Sequence, residues 1–494
     1  MAIKQYHAIP YHLWNPFTVM DEFLPFLGFG PLVITRGEGP YVFDEKGKRY
    51  INSLSSLWNA AIGLGRKELA DAAAKQMQEL AVASCFRQVH PRAIELAAKL
   101  VEVTSGRYQH VYLATGGSEA TETAFKMARQ YHRQSPDPKD HGRFKIISLR
   151  GSYHGVFYGC ISTSGLASDA DKFGPLVPGF LQIEPPYCYR CPYGKKSYPE
   201  CGLECAQALE RLIQSEGPET VGAFILEPVM GAYGIVDPPD EFYKRVGEIC
   251  RRHGMLVIAD EVTTGFGRTG KLFASAEWNP APDILCLGKG ISSGYLPLAA
   301  TLATEEIYER FNGAGNQFEH GCTASGHPVC SAVGLANIEI MLREKLSENA
   351  ARIGPYLKSK LTELMGRRNL IGDVRGRGLM IGVELVKDKA QKTPLSEKET
   401  YNIIMDMAVL GVVAYYRRNI IAFFPPLIIN EEIADQMVGL VETMLRLRED
   451  SSRLTANSHA LTGFCPGSSK GGRVKATVKV RAEAEAGERK AGRR

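Results

Sequence analysis

The sequence has no long apolar segment. No run of about 18 consecutive apolar residues occurs in the 494 residues, so we expect no transmembrane helix. The first ten residues, Met1 to Pro10, lack the apolar core of a signal peptide. The eleven cysteines are an odd number in a large chain, which fits a reducing compartment better than a disulfide scaffold. These absences predict a cytoplasmic protein that does not bind a membrane.

Outside residues 451–494, the chain has no excess of basic over acidic residues. The net charge is +5, but residues 451–494 carry ten Lys and Arg against three Glu, so residues 1–450 are left at about −2. Large apolar side chains are almost absent after Phe464, and we expect residues 451–494 to form a disordered basic tail. The body has no electrostatic footprint of nucleic-acid binding, so we predict no nucleic-acid partner.

The order of apolar runs divides the chain into domains. From about residue 61 to 330, short apolar runs alternate with helical patterns, which predicts an α/β domain with a mixed, mostly parallel sheet between helices. Residues 331–450 predict a smaller α+β domain, completed by residues 1–60. The predicted strands include His110–Ala114, Phe144–Leu149, Gly222–Leu226, Met255–Ala259 and Ile284–Leu287, and the predicted closing helix is Glu431–Arg448.

A glycine-containing turn indicates a phosphate site. Residues 115–120 follow one predicted strand and open a helix. The two glycines of this turn let the backbone approach a ligand, and the free N–H groups of a helix N-terminus attract an anion. A plain strand-to-helix turn would have the same pattern, so the turn does not identify a ligand alone.

Three further candidate residues lie at the ends of predicted strands. Asp260 ends one strand, Lys289 follows the next between two glycines, and Tyr153 follows a third. Ligands of parallel sheets bind at the carboxyl ends of strands, so these side chains are expected to meet. Each could also have an ordinary structural role, such as that of a helix cap or a surface lysine. Together with a phosphate site they form the set that pyridoxal phosphate (PLP) needs: a Schiff-base lysine, an acid for the pyridine nitrogen and an aromatic ring to stack.

The chain resembles the class III (ω-type) aminotransferases of PLP fold type I over about residues 10–450. The most specific stretch is residues 257–270, followed 19 residues later by Lys289. The resemblance implies that Lys289 and Asp260 are catalytic. It also implies a homodimer, or a dimer of dimers, with shared active sites, in which Thr323 reaches the phosphate of the neighbouring subunit. The implied cofactor contacts are Gly116, Gly117, Ser118, Tyr153, His154, Glu227, Asp260, Val262, Lys289 and Thr323.

Substrate choice is predicted from weaker resemblances. Residues 56–59 resemble the pocket of ω-amino acid:pyruvate aminotransferases, and residues 12–18 resemble the start of diaminopelargonate (biotin pathway) aminotransferases. The chain departs from the second family at Phe17, Val156 and the Leu57–Asn59 stretch. A keto-acid or amino-acid carboxylate needs a cation, preferably arginine. The implied substrate contacts are Phe17, Leu57, Trp58, Arg417 and Arg418.

We therefore predict ping-pong transfer of an amino group from a small-molecule amine donor to a keto-acid acceptor. The donor is expected to carry a terminal amine, as ω-amino acids, diamines and taurine-like compounds do, and the acceptor is expected to be pyruvate. An S-adenosylmethionine-linked diaminopelargonate aminotransferase is an alternative. A PLP mutase or decarboxylase would use the same lysine and aspartate.

Two other patterns predict different kinds of binding. Residues 265–270 match G-x-G-x-x-G, but four residues separate Asp260 from the first glycine and little room remains for the helix that a dinucleotide site needs. A cysteine cluster could hold a structural zinc ion through four thiolates, or it could be a structural loop. Its members are Cys188, Cys191, Cys201 and Cys205. A non-enzymatic scaffold that binds through this cluster or the tail is the contrasting class of function.

Overall fold

The computed structural model describes residues 12–19, 32–166 and 171–461. Within these ranges the strands are β1 (Ile34–Glu38), β2 (Tyr41–Asp44), β3 (Arg49–Asn52), β4 (His110–Ala114), β5 (Lys145–Leu149), β6 (Phe180–Ile183), β7 (Val221–Leu226), β8 (Leu256–Asp260), β9 (Ile284–Leu287), β10 (Ala299–Ala303), β11 (Ile371–Arg377), β12 (Met380–Asp388), β13 (Thr393–Pro394), β14 (Val412–Val413), β15 (Tyr415–Arg417) and β16 (Ile420–Phe423). The helices are α1 (Ser55–Trp58), α2 (Lys67–Glu79), α3 (Pro91–Val103), α4 (Gly117–Arg133), α5 (Tyr158–Thr163), α6 (Glu204–Glu216), α7 (Asp240–Arg252), α8 (Glu305–Glu309), α9 (Pro328–Arg343), α10 (Leu346–Arg367), α11 (Glu397–Leu410) and α12 (Glu431–Leu461).

A seven-stranded sheet forms the centre of the fold, in the order β4-β10-β9-β8-β7-β5-β6. Only β10 runs antiparallel to its neighbours β4 and β9, and the other adjacent strands pair in parallel. The prediction of a mixed, mostly parallel sheet is confirmed. As a consequence, β4, β5, β7, β8 and β9 all end at the same edge of the sheet.

Helices cover both faces of this sheet. Along β7, Phe224 and Leu226 pack into a core with α6 and α7, whereas Ala223 and Ile225 pack into a second core with α4. All six residues of β7 are buried. A strand buried on both faces has a continuous apolar sequence, which is why these strands are visible in the sequence.

Residues 34–52 and 412–413, which are far apart in the sequence, meet in a smaller sheet with the order β1-β2-β3-β14. β14 pairs in parallel with β3, and the Ser53 hydroxyl donates a 2.7 Å hydrogen bond to the Val413 carbonyl. A third sheet contains β11, β12, β16 and β15. The β3–β14 pairing supports the interpretation that residues 1–60 and 331–450 form one domain.

The closing helix α12 begins at Glu431, as predicted, but extends to Leu461. The helix thus includes residues 451–461, the first part of the predicted tail. These residues include no glycine or proline, so nothing in their sequence stops the helix. The rest of the predicted tail lies outside the described residues. No helix in the described ranges combines the length and apolarity needed to cross a membrane.

The turn at residues 265–270 uses its glycines for close packing. Gly267 and Gly270 have φ angles of 88° and 91°, and a Cβ atom added at Gly270 would lie 3.0 Å from the Ala351 Cα atom in α10. No helix follows this turn directly. The G-x-G-x-x-G pattern is thus explained by packing against α10, and it does not open a dinucleotide site.

Candidate active site

Lys289 lies just after β9, with its backbone in the left-handed region at φ 42°. Its Nζ atom donates a 2.7 Å hydrogen bond to Thr263 Oγ1 and lies 5.2 Å from the centroid of the Trp58 ring. Burial lowers the pKa of this amine, because the charged form loses water, while Asp260 and Glu227 act in the opposite direction. A lysine with a lowered pKa is more often neutral and is a better nucleophile.

Asp260 is the last residue of β8 and is held by two hydrogen bonds. Its Oδ2 atom accepts from His154 Nδ1 at 2.7 Å, and its Oδ1 atom accepts from the Val262 backbone N–H at 3.1 Å. The His154 side chain is fully buried, and its Nε2 atom has no hydrogen-bond partner among the described residues. The backbone of His154 is itself fixed, because Ser164 Oγ accepts from its N–H and the Thr121 hydroxyl donates to its carbonyl. His154 therefore orients the Asp260 carboxylate.

Glu227 follows β7 and joins two loops beside Lys289. Its Oε1 atom accepts from the Tyr153 N–H and its Oε2 atom from the Gly231 N–H, both at 2.9 Å. Burial raises the pKa of this carboxyl to about 7; His154 lowers it, Asp260 raises it, and the two N–H groups lower it. Glu227 is buried, and its hydrogen bond fixes the backbone N–H of Tyr153.

The first turn of α4 forms an open cradle. Gly116 is the N-cap residue, and the first N–H groups of a helix have no partner within it. A Cβ atom added at Gly116 would meet nothing within 4 Å, whereas one added at Gly117 would lie 2.7 Å from Val262 Cγ1. A Cβ atom at Gly288 would lie 3.1 Å from the same methyl group. The cradle is therefore packed, through Val262, against the segments that carry Asp260 and Lys289.

The different surroundings of Gly116 and Gly117 predict the effects of an alanine substitution at each position. Gly117→Ala is expected to displace Val262 and to lower both the melting temperature of the apoprotein and its affinity for PLP. Gly116→Ala is expected to leave the melting temperature unchanged but to reduce PLP affinity about tenfold, because the methyl group fills the space offered to the phosphate. Thermal melting and fluorescence titration with PLP measure both quantities. Unchanged PLP affinity in Gly116→Ala would place the phosphate elsewhere.

An aromatic group lies beside Lys289. The Trp58 ring stacks on Phe424 at 4.5 Å between centroids and meets the Tyr415 ring edge-on at 5.2 Å. Tyr153 packs against the same group. Trp58 has a φ angle of 63°, and the φ angles of Ser55 and Ser56 before it are also positive. The short helix α1 therefore has a constrained backbone, which sets the direction of the indole.

The other predicted substrate contacts are less buried. Leu57 and Phe17 are 61% and 75% exposed, so neither is part of the buried aromatic group. Arg417 ends β15 and is half-buried, whereas Arg418 is exposed and its guanidinium lies 4.7 Å from the centroid of the Tyr233 ring. Within the described ranges, neither arginine forms an ion pair. Thr323, which the resemblance implies as a cofactor contact of the neighbouring subunit, is exposed in a turn before α9. The roles of these five residues stay predictions.

The four cysteines of the cluster do not converge as metal ligands in the described part of the chain. Its four members are free thiols, and no three His, Cys, Asp or Glu side chains of the described residues converge as metal ligands. Burial is the largest cause of the raised pKa of Cys188. The charge on Cys191 and Cys201 raises it further, so these thiols lie near one another. A structural zinc ion at this cluster stays a prediction.

The arrangement as a whole fits pyridoxal phosphate. The open cradle at Gly116 suits a phosphate, the Asp260 carboxylate suits a cationic ring nitrogen, and the Lys289 amine suits an aldehyde. These groups come from the ends of three different strands that share one edge of the sheet.

Comparison with known proteins identifies the family. The family model "Aminotransferase class-III" matches residues 28–445. The chain belongs to the class-III aminotransferases. The protein is therefore an enzyme that transfers amino groups, and PLP is the cofactor of this class.

Two curated relatives illustrate the range of this aminotransferase class. The chain is 37% identical over 436 residues to an adenosylmethionine-8-amino-7-oxononanoate aminotransferase of Geobacter sulfurreducens, covering 87% of this chain and 95% of the relative. It is 34% identical over 447 residues to a putrescine–pyruvate aminotransferase of Pseudomonas aeruginosa, covering 90% and 95%. Among solved structures, a PLP-bound amine transaminase from an uncultivated Pseudomonas species matches with a TM-score of 0.85 and 38% identity, covering 89% of this chain and 99% of that chain.

Sequence reasoning missed three residues of this site. Thr263 could have been noticed as a polar residue three positions after Asp260, within the most specific stretch. Tyr415 and Phe424 carry no comparable signal, because they reach Trp58 only through the packing of β15 and the end of β16.

Proposed function

We propose that this aminotransferase moves the amino group of a donor with a terminal amine to pyruvate, by a ping-pong mechanism. The observation that carries the proposal is the half-buried Lys289 side chain, whose amine lies against an aromatic group and is influenced by two carboxylates. The name of the Pseudomonas aeruginosa relative, which pairs a diamine with pyruvate, supports the same substrate classes. The transaminase activity itself follows from the family.

We propose that Lys289 holds the cofactor covalently and, once a donor amine displaces it, moves a proton. Its lowered pKa supports this role, because the Nζ atom must accept a proton from the donor carbon that bears the amine. When bound, PLP supplies an electron sink for the charge that forms at that carbon. Asp260 keeps the ring nitrogen protonated, and the hydrogen bond from His154 holds the carboxylate in place for this purpose.

The remaining cofactor contacts are proposed from their positions around these two residues. The N–H groups of Gly117 and Ser118 bind the phosphate at the start of α4. Tyr153 lies against one face of the ring and Val262 against the other. Glu227 supports this arrangement through its hydrogen bond to the Tyr153 N–H.

We propose Arg417 as the cation that binds the carboxylate of pyruvate. Side chains two residues apart on a strand share a face, so Arg417 lies on the same face of β15 as Tyr415, whose ring contacts Trp58. Tyr416, between them, packs on Tyr401 in α11 instead. A half-buried guanidinium without an ion pair among the described residues suits a carboxylate.

We also propose a homodimer in the cytoplasm, with Thr323 reaching the active site of the partner subunit. The exposure of Thr323 in a turn and the free state of the described cysteines support these two proposals.

A half-reaction screen tests the proposed donor class. The purified holoenzyme is mixed with one amine at a time, without an acceptor, and the visible band of the cofactor is followed. A diamine, an ω-amino acid or taurine is expected to bleach the band, and pyruvate is expected to restore it. Bleaching by S-adenosylmethionine alone would instead support the diaminopelargonate alternative, for which the Geobacter relative is the argument. No bleaching by any amine would contradict the proposal.

A further inference from the structure

The Thr263 hydroxyl is the hydrogen-bond acceptor for the free Lys289 amine. The Nζ–Oγ1 distance is 2.7 Å, and Thr263 is only 9% exposed. The two carboxylates that raise the pKa of this amine accept hydrogen bonds from other groups. Asp260 accepts from His154 and Val262.

Glu227, the second carboxylate near Lys289, also accepts hydrogen bonds from other groups. Its two oxygens accept from the backbone N–H groups of Tyr153 and Gly231, one each. Asp260 and Glu227 therefore influence the amine through space, whereas the hydroxyl of Thr263 contacts it directly.

The side chain of Thr263 lies beside Gly231 and near the Trp58 ring. A Cβ atom added at Gly231 would lie 3.6 Å from the Thr263 methyl group and 3.3 Å from the Trp58 ring. Threonine is branched at Cβ, so its χ1 angle has few allowed values and the direction of its hydroxyl is restricted. Among the described residues, the amine has one direct polar contact, with Thr263, and one aromatic contact, with the Trp58 ring 5.2 Å from Nζ.

From these contacts we propose that Thr263 is a positioning residue for Lys289. After a donor has displaced Lys289, the hydroxyl holds the amine at the place from which Nζ accepts the proton of the donor carbon and returns it. A hydrogen bond from the ammonium to this hydroxyl also favours the charged form, and so opposes the effect of burial. The proposal rests on the function proposed for Lys289 and deepens it.

The charged groups that face Lys289 allow the direction of a pH effect to be stated. Burial lowers the pKa of the amine, Asp260 and Glu227 raise it, and the Thr263 hydroxyl also favours the ammonium. Loss of the hydroxyl leaves both carboxylates in place. The amine should then lose its proton at lower pH, although it is less well positioned.

The test compares Thr263→Val, which keeps the shape but removes the acceptor, with Thr263→Ser, which keeps the hydroxyl. The first measurement uses the apoenzyme: the rate at which cyanate modifies Lys289 is followed against pH by peptide mass spectrometry. The midpoint is expected to fall by about one pH unit in Thr263→Val and to stay near the wild-type value in Thr263→Ser. Thr264→Val is a matched control, since the Thr264 hydroxyl donates to Glu261 and not to the lysine.

The second measurement is the half-reaction of the holoenzyme with a donor deuterated at the amine-bearing carbon. Thr263→Val is expected to slow the half-reaction about tenfold and to increase the deuterium isotope effect, because proton transfer becomes more rate-limiting. Donor affinity should change little. Thr263→Ser should restore the rate.

Two results would overturn the proposal. One is a Thr263→Val variant with an unchanged midpoint, rate and isotope effect. The other is a folded Thr263→Ser variant that behaves like Thr263→Val, which would assign the effect to the methyl group. Failure of the proposed function would look different: no donor would react with the wild-type enzyme, while the cyanate midpoint would still shift in Thr263→Val.

Discussion

Lys289→Ala is expected to reduce transamination at least about 10⁴-fold, because the variant loses both the nucleophile and the proton-transfer group. The fold should persist. The Lys289 amine makes one side-chain hydrogen bond among the described residues, and removing a desolvated amine relieves an unfavourable burial. Steady-state kinetics measure the loss of activity. Borohydride reduction followed by peptide mass spectrometry tests whether the cofactor is still attached covalently.

Lys271→Ala is the matched control for this prediction. Lys271 directly follows the turn at residues 265–270, but it is about half exposed and pairs with Glu277 at the surface. This variant should keep full activity and full covalent attachment of the cofactor at Lys289. A Lys289→Ala variant that retains wild-type turnover would contradict the whole mechanism.

Asp260→Asn is expected to reduce kcat/KM about a hundred- to a thousand-fold with the cofactor saturating. Asparagine has nearly the shape of aspartate but carries no negative charge, so it does not stabilise a cationic ring nitrogen. Depending on its orientation, its amide group also brings a donor toward His154 Nδ1, which now donates to Asp260 Oδ2. The measurement is kcat/KM together with the melting temperature, which separates loss of chemistry from loss of fold.

Asp283→Asn changes a half-buried carboxylate away from the site. Asp283 accepts from the Val257 N–H at 2.7 Å, near the amino end of β8, and burial raises the pKa of its carboxyl to about 6. Asparagine can still accept that hydrogen bond through its side-chain oxygen. The variant is expected to keep its activity. If both variants lost activity equally, the special role of Asp260 would be refuted.

Two strands of the central sheet were predictable with the correct bounds. Ile284–Leu287 is buried along its whole length and therefore has a short, continuous apolar sequence. His110–Ala114 lies at the edge of the sheet and is half-buried up to Ala114, but its apolar residues before a glycine-containing turn still indicated a strand. The position of β10 between β4 and β9, with the opposite direction, was not predictable. Strand order depends on contacts between distant segments, and no local pattern records it.

The candidate site was predictable to a similar extent. The sequence by itself determined the family resemblance, because residues 257–270 and Lys289 form one continuous, specific pattern, and this resemblance implied the two central residues Asp260 and Lys289. Only the tertiary structure decided which groups control them. His154 bonds to Asp260, which lies 106 positions later in the sequence, and Trp58 stacks on Phe424, which belongs to a distant segment of the chain. Hydrogen bonds and ring contacts of this kind depend on which strand ends become neighbours, and that is set by the packing of the sheet and not by any short segment of the chain.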